Sequence, residues 1–241
     1  MNILAIDTSG SQASVAISSN EKLVAESVFP SDRCLSARLV PEIERLLTHA
    51  GIFIGDIDLF AGAIGPGSFT GVRAGIATVQ GLALATGKLC AGFSSLTLIA
   101  MNFPLTAYPV CTLLDARKSE VYAALFDCST TIIPTTIISD CVKSPELFLD
   151  MLCTAVDGGP IVFAGEGALR YSNLISSRME GQALFAPYPH NAGRAANGTL
   201  LALEAHRTGL LIEPSRLLPV YIRASEAEYA KMNRQPSIFT K

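Results

Sequence analysis

Twice along this chain an apolar strand runs into an aspartate, turns through polar residues and continues into further strands, a helix, another strand and a glycine turn. The first copy opens with Asn2-Ile3-Leu4-Ala5-Ile6-Asp7 and the turn Thr8-Ser9-Gly10-Ser11. Strands over Ala13 to Ser18 and Lys22 to Phe29 follow, separated by the polar turn Ser19-Asn20-Glu21. Leu35, Leu39, Ile43, Leu46 and Leu47 recur at helical spacing, which predicts a helix from Arg33 to Ala50. Pro41 inside it predicts a bend or a late start, and Gly51 is a natural stop. The second copy begins near Tyr108, with a strand to Leu114 that ends in Asp115. Strands at Glu120 to Asp127 and Ile132 to Ser139 come next, then a helix from Ser144 to about Leu152 with proline at a tolerated early position. A strand at Ile161 to Ala164, the turn Gly165-Glu166-Gly167 and a helix near Ala192 to Thr208 complete it. A duplicated β-β-β-α-β unit predicts an α/β protein of two lobes. The expected division is an N-terminal lobe over 1–104, a C-terminal lobe over 105–223 and a polar tail over 224–241.

The glycine turn that closes the first unit is Gly65-Pro66-Gly67-Ser68-Phe69-Thr70-Gly71-Val72-Arg73, placed between an apolar strand (Leu59 to Ile64) and a helix (Val72 to Ala85). Three glycines and a proline so close together imply positive φ angles or a backbone pressed against something. Ser68 or Thr70 can cap the helix. Helix starts of this kind also bind phosphate, so a structural turn and a ligand loop both remain open. A Walker loop is excluded, because no Gly-Lys-Ser/Thr closes the motif and its nearest cation is Arg73. A Gly-x-Ser-x-Gly elbow is excluded because Ser68 directly follows Gly67. The helix itself is small-sided, with Ala74, Gly75, Ala77, Gly81, Ala83 and Ala85, and can pack closely on its own sheet or on a second helix.

With 49% hydrophobic and 16% charged residues the chain can build an extensive core. A net charge of −3 argues against an autonomous nucleic-acid binder, and the absence of tryptophan argues against a base-stacking platform. Neither excludes a place beside a basic partner. The six cysteines have no Cys-x-x-Cys spacing and the three histidines no His-x-x-x-His pair, so reduced thiols and no metal site are expected. The uncharged stretch Leu89 to Leu114 is broken by Asn102, Pro104 and Pro109 and suits strand–helix–strand better than a membrane span. A cytoplasmic protein is the expectation.

Asp7 and Asp115 end equivalent strands, so both are expected to face a cleft between lobes. Paired carboxylates there can hold magnesium beside a phosphate, with Thr8 and Ser9 as donors and Arg117 as the guanidinium. The alternative is that both carboxylates cap turns and pair with Arg117. Gly165, Glu166 and Gly167 are a further candidate nucleotide contact or merely a tight loop. No base, nucleophile and orienter occur together, so no catalytic residue is assigned.

Ile3 to Thr8, the glycine motif Gly65 to Arg73, Asp115-Ala116-Arg117 with Glu120-Val121-Tyr122, and Pro219-Val220-Tyr221-Ile222-Arg223 occur in this order along nearly the whole chain. In these motifs the sequence resembles the TsaB (YeaZ) family, a bacterial subunit of the machinery that makes N6-threonylcarbamoyladenosine (t6A) at tRNA position 37. The resemblance implies the two-lobed actin/Hsp70-like ATPase fold (ASKHA, RNase H-like) and a non-catalytic subunit. It implies homodimers, binding to the catalytic homologue TsaD through N-lobe helices, TsaE as an ATPase partner, and contact with tRNA only through the complex. On this chain the implied interface is Leu35, Arg38, Leu39 and Glu42 on the first helix and Thr70, Arg73, Ala74, Gly75 and Thr78 on the next. Gly65, Pro66, Gly67, Ser68 and Gly71 then form a structural turn that sets the second helix, and Gly75→Leu is expected to weaken assembly in a folded monomer. The chain itself requires no cofactor, with ATP or ADP and magnesium confined to the complex interface. TsaD carries its metal on a His-x-x-x-His helix, whereas the comparable Arg33-Cys34-Leu35-Ser36-Ala37-Arg38-Leu39-Val40-Pro41 has no histidine. Many relatives have His-Ser or His-Thr where this chain has Leu35-Ser36. The rival reading is a magnesium-dependent nucleotide-binding or ATP-hydrolysing enzyme of the same fold; a peptidase lacks its triad.

Overall fold

The structure, a computed structural model, describes residues 1–156 and 158–223; the tail expected over 224–241 lies outside them. Strands β1 (Asn2–Asp7), β2 (Gln12–Ser19) and β3 (Lys22–Pro30) form the expected meander. Helix α1 (Leu35–Ala50), strand β4 (Leu59–Gly65), helix α2 (Phe69–Thr86) and strand β5 (Leu89–Ser94) follow. Their sheet runs β3-β2-β1-β4-β5, with β1, β4 and β5 parallel. A short helix α3 (Ser95–Ala100) leads to β6 (Val110–Arg117), β7 (Glu120–Asp127), β8 (Thr135–Lys143), α4 (Pro145–Ala155), β9 (Ile161–Ala164), α5 (Glu166–Arg170), α6 (Ser172–Arg178) and β10 (Ala183–Phe185). The second sheet runs β10-β9-β6-β7-β8, the same order as the first read from its other end. The duplication is therefore visible in topology, strand for strand.

Period-two alternation sends β1 to two cores. Leu4 and Ile6 join Val15, Ile17, Leu39, Ile43 and Val79 under α1 and α2. Ile3 and Ala5 face the other way, with Ala61 and Phe93. That second face is covered by the last helix, α7 (Ala195–Arg207), through Ala195 and Ala202. The chain thus returns from its second half to roof the first sheet, a return that sequence periodicity alone does not specify. Gly198 lets this roof lie close, since a Cβ there would stand 2.6 Å from the Phe93 ring. Between the sheets, Leu96, Ile99 and Ala100 of α3 pack with Val110, Leu114, Ala124 and Phe126.

Several boundaries differ from expectation for local reasons. Helix α1 starts at Leu35 and runs through Pro41 without a break. Strand β8 starts at Thr135, which pairs with Asp127, because Pro134 before it has no N–H for the ladder. Strand β6 continues through Asp115, which pairs with Val121, so that aspartate lies inside its strand rather than at the end. Cys90, Cys111 and Cys128 are buried, whereas Cys34 and Cys153 are exposed.

Candidate functional site

The glycine motif places α2 by tying it to the end of β1. Ser68 accepts the Gly71 N–H at 3.3 Å and caps the helix, while its own N–H donates to the Ser9 carbonyl at 2.7 Å. The Thr8 hydroxyl donates to the Gly71 carbonyl at 2.7 Å. A Cβ at Gly71 would stand 2.0 Å from the Thr8 carbonyl oxygen, and one at Gly75 would stand 2.3 Å from the Thr8 Oγ1. Only glycine allows this approach. Gly65 and Gly67 do the same on the other side of the turn, against Val220 and Ser9, with Pro66 buried between them. Thr8, expected to face a phosphate, is therefore committed to helix packing.

The candidate interface residues divide. Thr70 and Arg73 are exposed, and Arg38, Glu42, Ala74 and Thr78 are half-buried. Arg38 donates to the Pro30 carbonyl and Glu42 accepts from Arg45 and Ser27. Leu35, Leu39 and Gly75 lie in the core, which corrects their placement on a contact surface. It also corrects the expectation for Gly75→Leu: the added side chain would strike Thr8 and Ile6 inside the lobe. The outward face of α2 is carried instead by Ala77, Gly81 and Leu84, and Ala37 and Val40 are exposed on α1; Leu84 is 65% and Val40 52% exposed.

The two aspartates are not gathered into one cleft. Asp7 is buried and accepts the Ser9 N–H at 2.9 Å. Burial pushes its pKa above the usual carboxylate value, with hydrogen bonds from Ser9 pulling the other way. Asp7, Ser9, Glu166, Asn191 and Gly193 line a cavity of about 20 Å³, enough for about one water. Gly193 closes it, because a Cβ there would fall 2.3 Å from Asp7 Oδ2. Asp115 instead accepts from Arg170 at 2.9 Å and from the Arg117 N–H at 2.9 Å, with the Arg117 guanidinium at 3.5 Å. Gly165 forms the turn at φ 103°, donating to Asn191, with a Cβ position 2.1 Å from the Leu113 carbonyl. Glu166 and Gly167 already belong to α5. Among the described residues no group of three or more metal-ligating side chains is assembled.

The larger cleft lies elsewhere. About 660 Å³ opens between the glycine turn, the β6–β7 hairpin and the segment Val220 to Arg223. That segment straps the lobes together: the Val220 N–H donates to the Ile64 carbonyl at 2.9 Å, and Arg223 donates to the Ala116 carbonyl at 2.9 Å and faces Glu120 at 3.3 Å. Tyr221 stacks on Phe69 with centroids 5.3 Å apart and accepts from Arg73 Nε at 2.6 Å. The Arg73 guanidinium lies 3.7 Å over the Phe69 ring. Sequence reasoning named Arg73 and Arg117 but missed Phe69, Tyr122, Arg170, Tyr221 and Arg223 as site residues. The motifs Gly65 to Arg73, Glu120 to Tyr122 and Pro219 to Arg223 carried a local signal for all of them but Arg170.

Comparison with known proteins agrees with this architecture. Residues 22–187 match the model of the family described as TsaD, tRNA N6-adenosine threonylcarbamoyltransferase. The TsaB protein of Haemophilus influenzae, a tRNA threonylcarbamoyladenosine biosynthesis protein, is 31% identical over 197 residues, covering 78% of this chain and 81% of that one. The solved YeaZ of Pseudomonas aeruginosa superposes with a TM-score of 0.78 at 29% identity, over 91% of this chain and 99% of its own. A ROK hexokinase from Thermus thermophilus, at 13% identity and a TM-score of 0.51 over 87% of this chain and all of its own, shares the two-lobed actin-like fold and no more. With its duplicated sheets, glycine-tied α2 and strapped lobes, the chain belongs to the TsaB (YeaZ) family of tRNA threonylcarbamoyladenosine biosynthesis proteins.

Proposed function

We propose that this chain is a non-catalytic subunit of the t6A machinery that supports a TsaD-type threonylcarbamoyltransferase. The observation that carries the reading is the closed cleft at Asp7: the place where an ATPase of this fold would hold phosphate has room for about one water. Thr8, which would have faced a phosphate there, serves the packing of α2 instead. With no room for a nucleotide beside Asp7, the helix surface is the asset this reading uses. The exposed small residues Ala77 and Gly81, with Val40 and Leu84, let a second helix pair approach closely. That face would serve a TsaD partner or a second copy of the chain, with TsaE joining the assembly. ATP or ADP with magnesium would then sit at the subunit junction rather than in the closed cleft. The setting is cytoplasmic; no helix among the described residues is long and apolar enough to cross a membrane.

The test is to mix the purified chain with the threonylcarbamoyltransferase of its own organism and measure mass by light scattering. A defined heteromeric complex is expected. Ala77→Arg, on the exposed face of a helix that tolerates arginine, should weaken it by ~tenfold or more while leaving the melting temperature unchanged. A chain that ignores the transferase yet binds and turns over magnesium-ATP would overturn the proposal and favour the enzyme reading.

A further inference from the structure

An acidic chain, with its net charge of −3, concentrates cations at one place. The cleft under the strap is lined by Arg73, Arg117, Lys118 and Arg223, and none of its described lining residues is acidic. Arg170 extends the row, since it shares the Asp115 Oδ2 with Arg117. Among the described residues, Asp115 and Glu120 face this row; Asp115 is 10% exposed beneath its two arginines, while Arg117 and Arg170 are 82% and 55% exposed. One carboxylate thus orients two guanidiniums that reach into solvent, which leaves a net positive edge. Beside it stand two aromatic rings, Phe69 and Tyr221, each 44% exposed. Two exposed guanidiniums sharing one carboxylate fit a phosphate backbone, and half-open rings beside them fit an unstacked base.

We infer that this edge binds the backbone of an RNA strand, with an unpaired base against Phe69 and Tyr221. The phosphates lie along Arg170 and Arg117, while Arg223 stays on the Ala116 carbonyl and Glu120. Arg73 is held flat on Phe69 and presents the edge of that stack. The local field accounts for contact in a chain whose overall charge is unfavourable, because phosphate binding follows local cations within a Debye length rather than net charge. This role goes beyond the scaffold reading and adds direct contact where contact only through the complex was expected. It also holds whether or not a transferase partner binds, because it belongs to the isolated chain.

The experiment titrates a fluorescently labelled, unmodified tRNA transcript with the isolated full-length chain at low ionic strength, reading anisotropy and repeating across a potassium chloride series. Wild-type chain is expected to bind, with affinity falling linearly in log–log salt. Arg117→Gln combined with Arg170→Gln should lose ~tenfold or more in affinity and lower the salt slope by about 1–2. Arg207→Gln, on α7 where Arg207 pairs with Glu21, should change neither. Because the double change bares Asp115, Arg117→Gln alone provides the milder variant, expected to lower the slope by about 1. No binding by the wild-type chain at low salt overturns the inference, as does an unchanged slope in both variants. Full displacement by adenosine monophosphate at equal nucleotide concentration also overturns it, because the cleft would then take a mononucleotide and not a strand.

Discussion

Asp7 shows what burial does to a carboxylate at the end of a strand. It sits at the end of β1 with a hydrogen bond from the Ser9 N–H, yet Gly193 and the neighbouring backbone exclude all but about one water. Its carboxyl pKa is raised by burial. A folded-state pKa above the unfolded value means that the native state holds the proton more tightly. Stability linked to Asp7 is therefore complete below the unfolded carboxylate range and is lost as pH rises through the raised value. Ionising this buried carboxyl costs the native state. Asp7→Asn keeps an acceptor for the Ser9 N–H and removes the charge, so it should stabilise the chain at pH 7 by roughly 0.5–2 kcal/mol. Thermal melts at pH 7 and near pH 3.5 check this: the gain should shrink at the lower pH, where wild-type Asp7 is protonated. A loss of stability at pH 7 would mean that the carboxylate has a charged partner in the fold.

At the level of elements, α2 depends on one contact that couples two residues 67 positions apart in sequence. Gly75→Ala forces a Cβ against the Thr8 Oγ1, displacing its bond to the Gly71 carbonyl, and should cost about 2–4 kcal/mol. Thr8→Ala alone should cost about 1 kcal/mol for the lost hydrogen bond. The double variant should cost less than the sum, because removing Oγ1 clears the site and the next Thr8 atom is 3.6 Å away. Denaturant melts of all four proteins close the cycle; simple additivity would show that the clash is relieved by a helix shift instead. The same contact explains what could and could not be read from the sequence. Periodicity located α1 and its core leucines, and the glycine spacing marked a close approach at α2. It could not say what was approached, because Thr8 arrives from another strand, and so Gly75 looked available to a partner. Asp115 and Asp7 looked like a pair because their strands are equivalent, but the partners that separate them, Arg170 and Gly193, come from distant loops and helices. The cleft residues Tyr221 and Arg223 were hidden in the same way, since their neighbours are Phe69 and Ala116.

For the whole molecule, the return of α7 decides how the lobes depend on each other. The first sheet has one face under α1 and α2 and another, built from Ile3, Ala5, Ala61 and Phe93, under α7. Glu26 on β3 anchors the start of that helix, accepting from the Arg194 guanidinium and from the Ala196 N–H at 3.1 Å, while Ser14 accepts the Ala195 N–H at 2.9 Å. Those groups satisfy free N–H donors of the first turn from the sheet side. A fragment of residues 1–104 would keep five strands and three helices but bare an apolar face, at a cost of about 25 cal/mol for each Å² exposed. It should therefore fail to reach a uniquely packed state, giving narrow amide dispersion in a proton–nitrogen correlation spectrum. The full chain should melt in one transition, with calorimetric and van't Hoff enthalpies equal, because α7 and the strap make both sheets parts of one cooperative unit. A well-dispersed spectrum from the fragment would show that the first lobe closes its own core. The α7 contact would then be a docking between independent lobes, free to open when a partner binds.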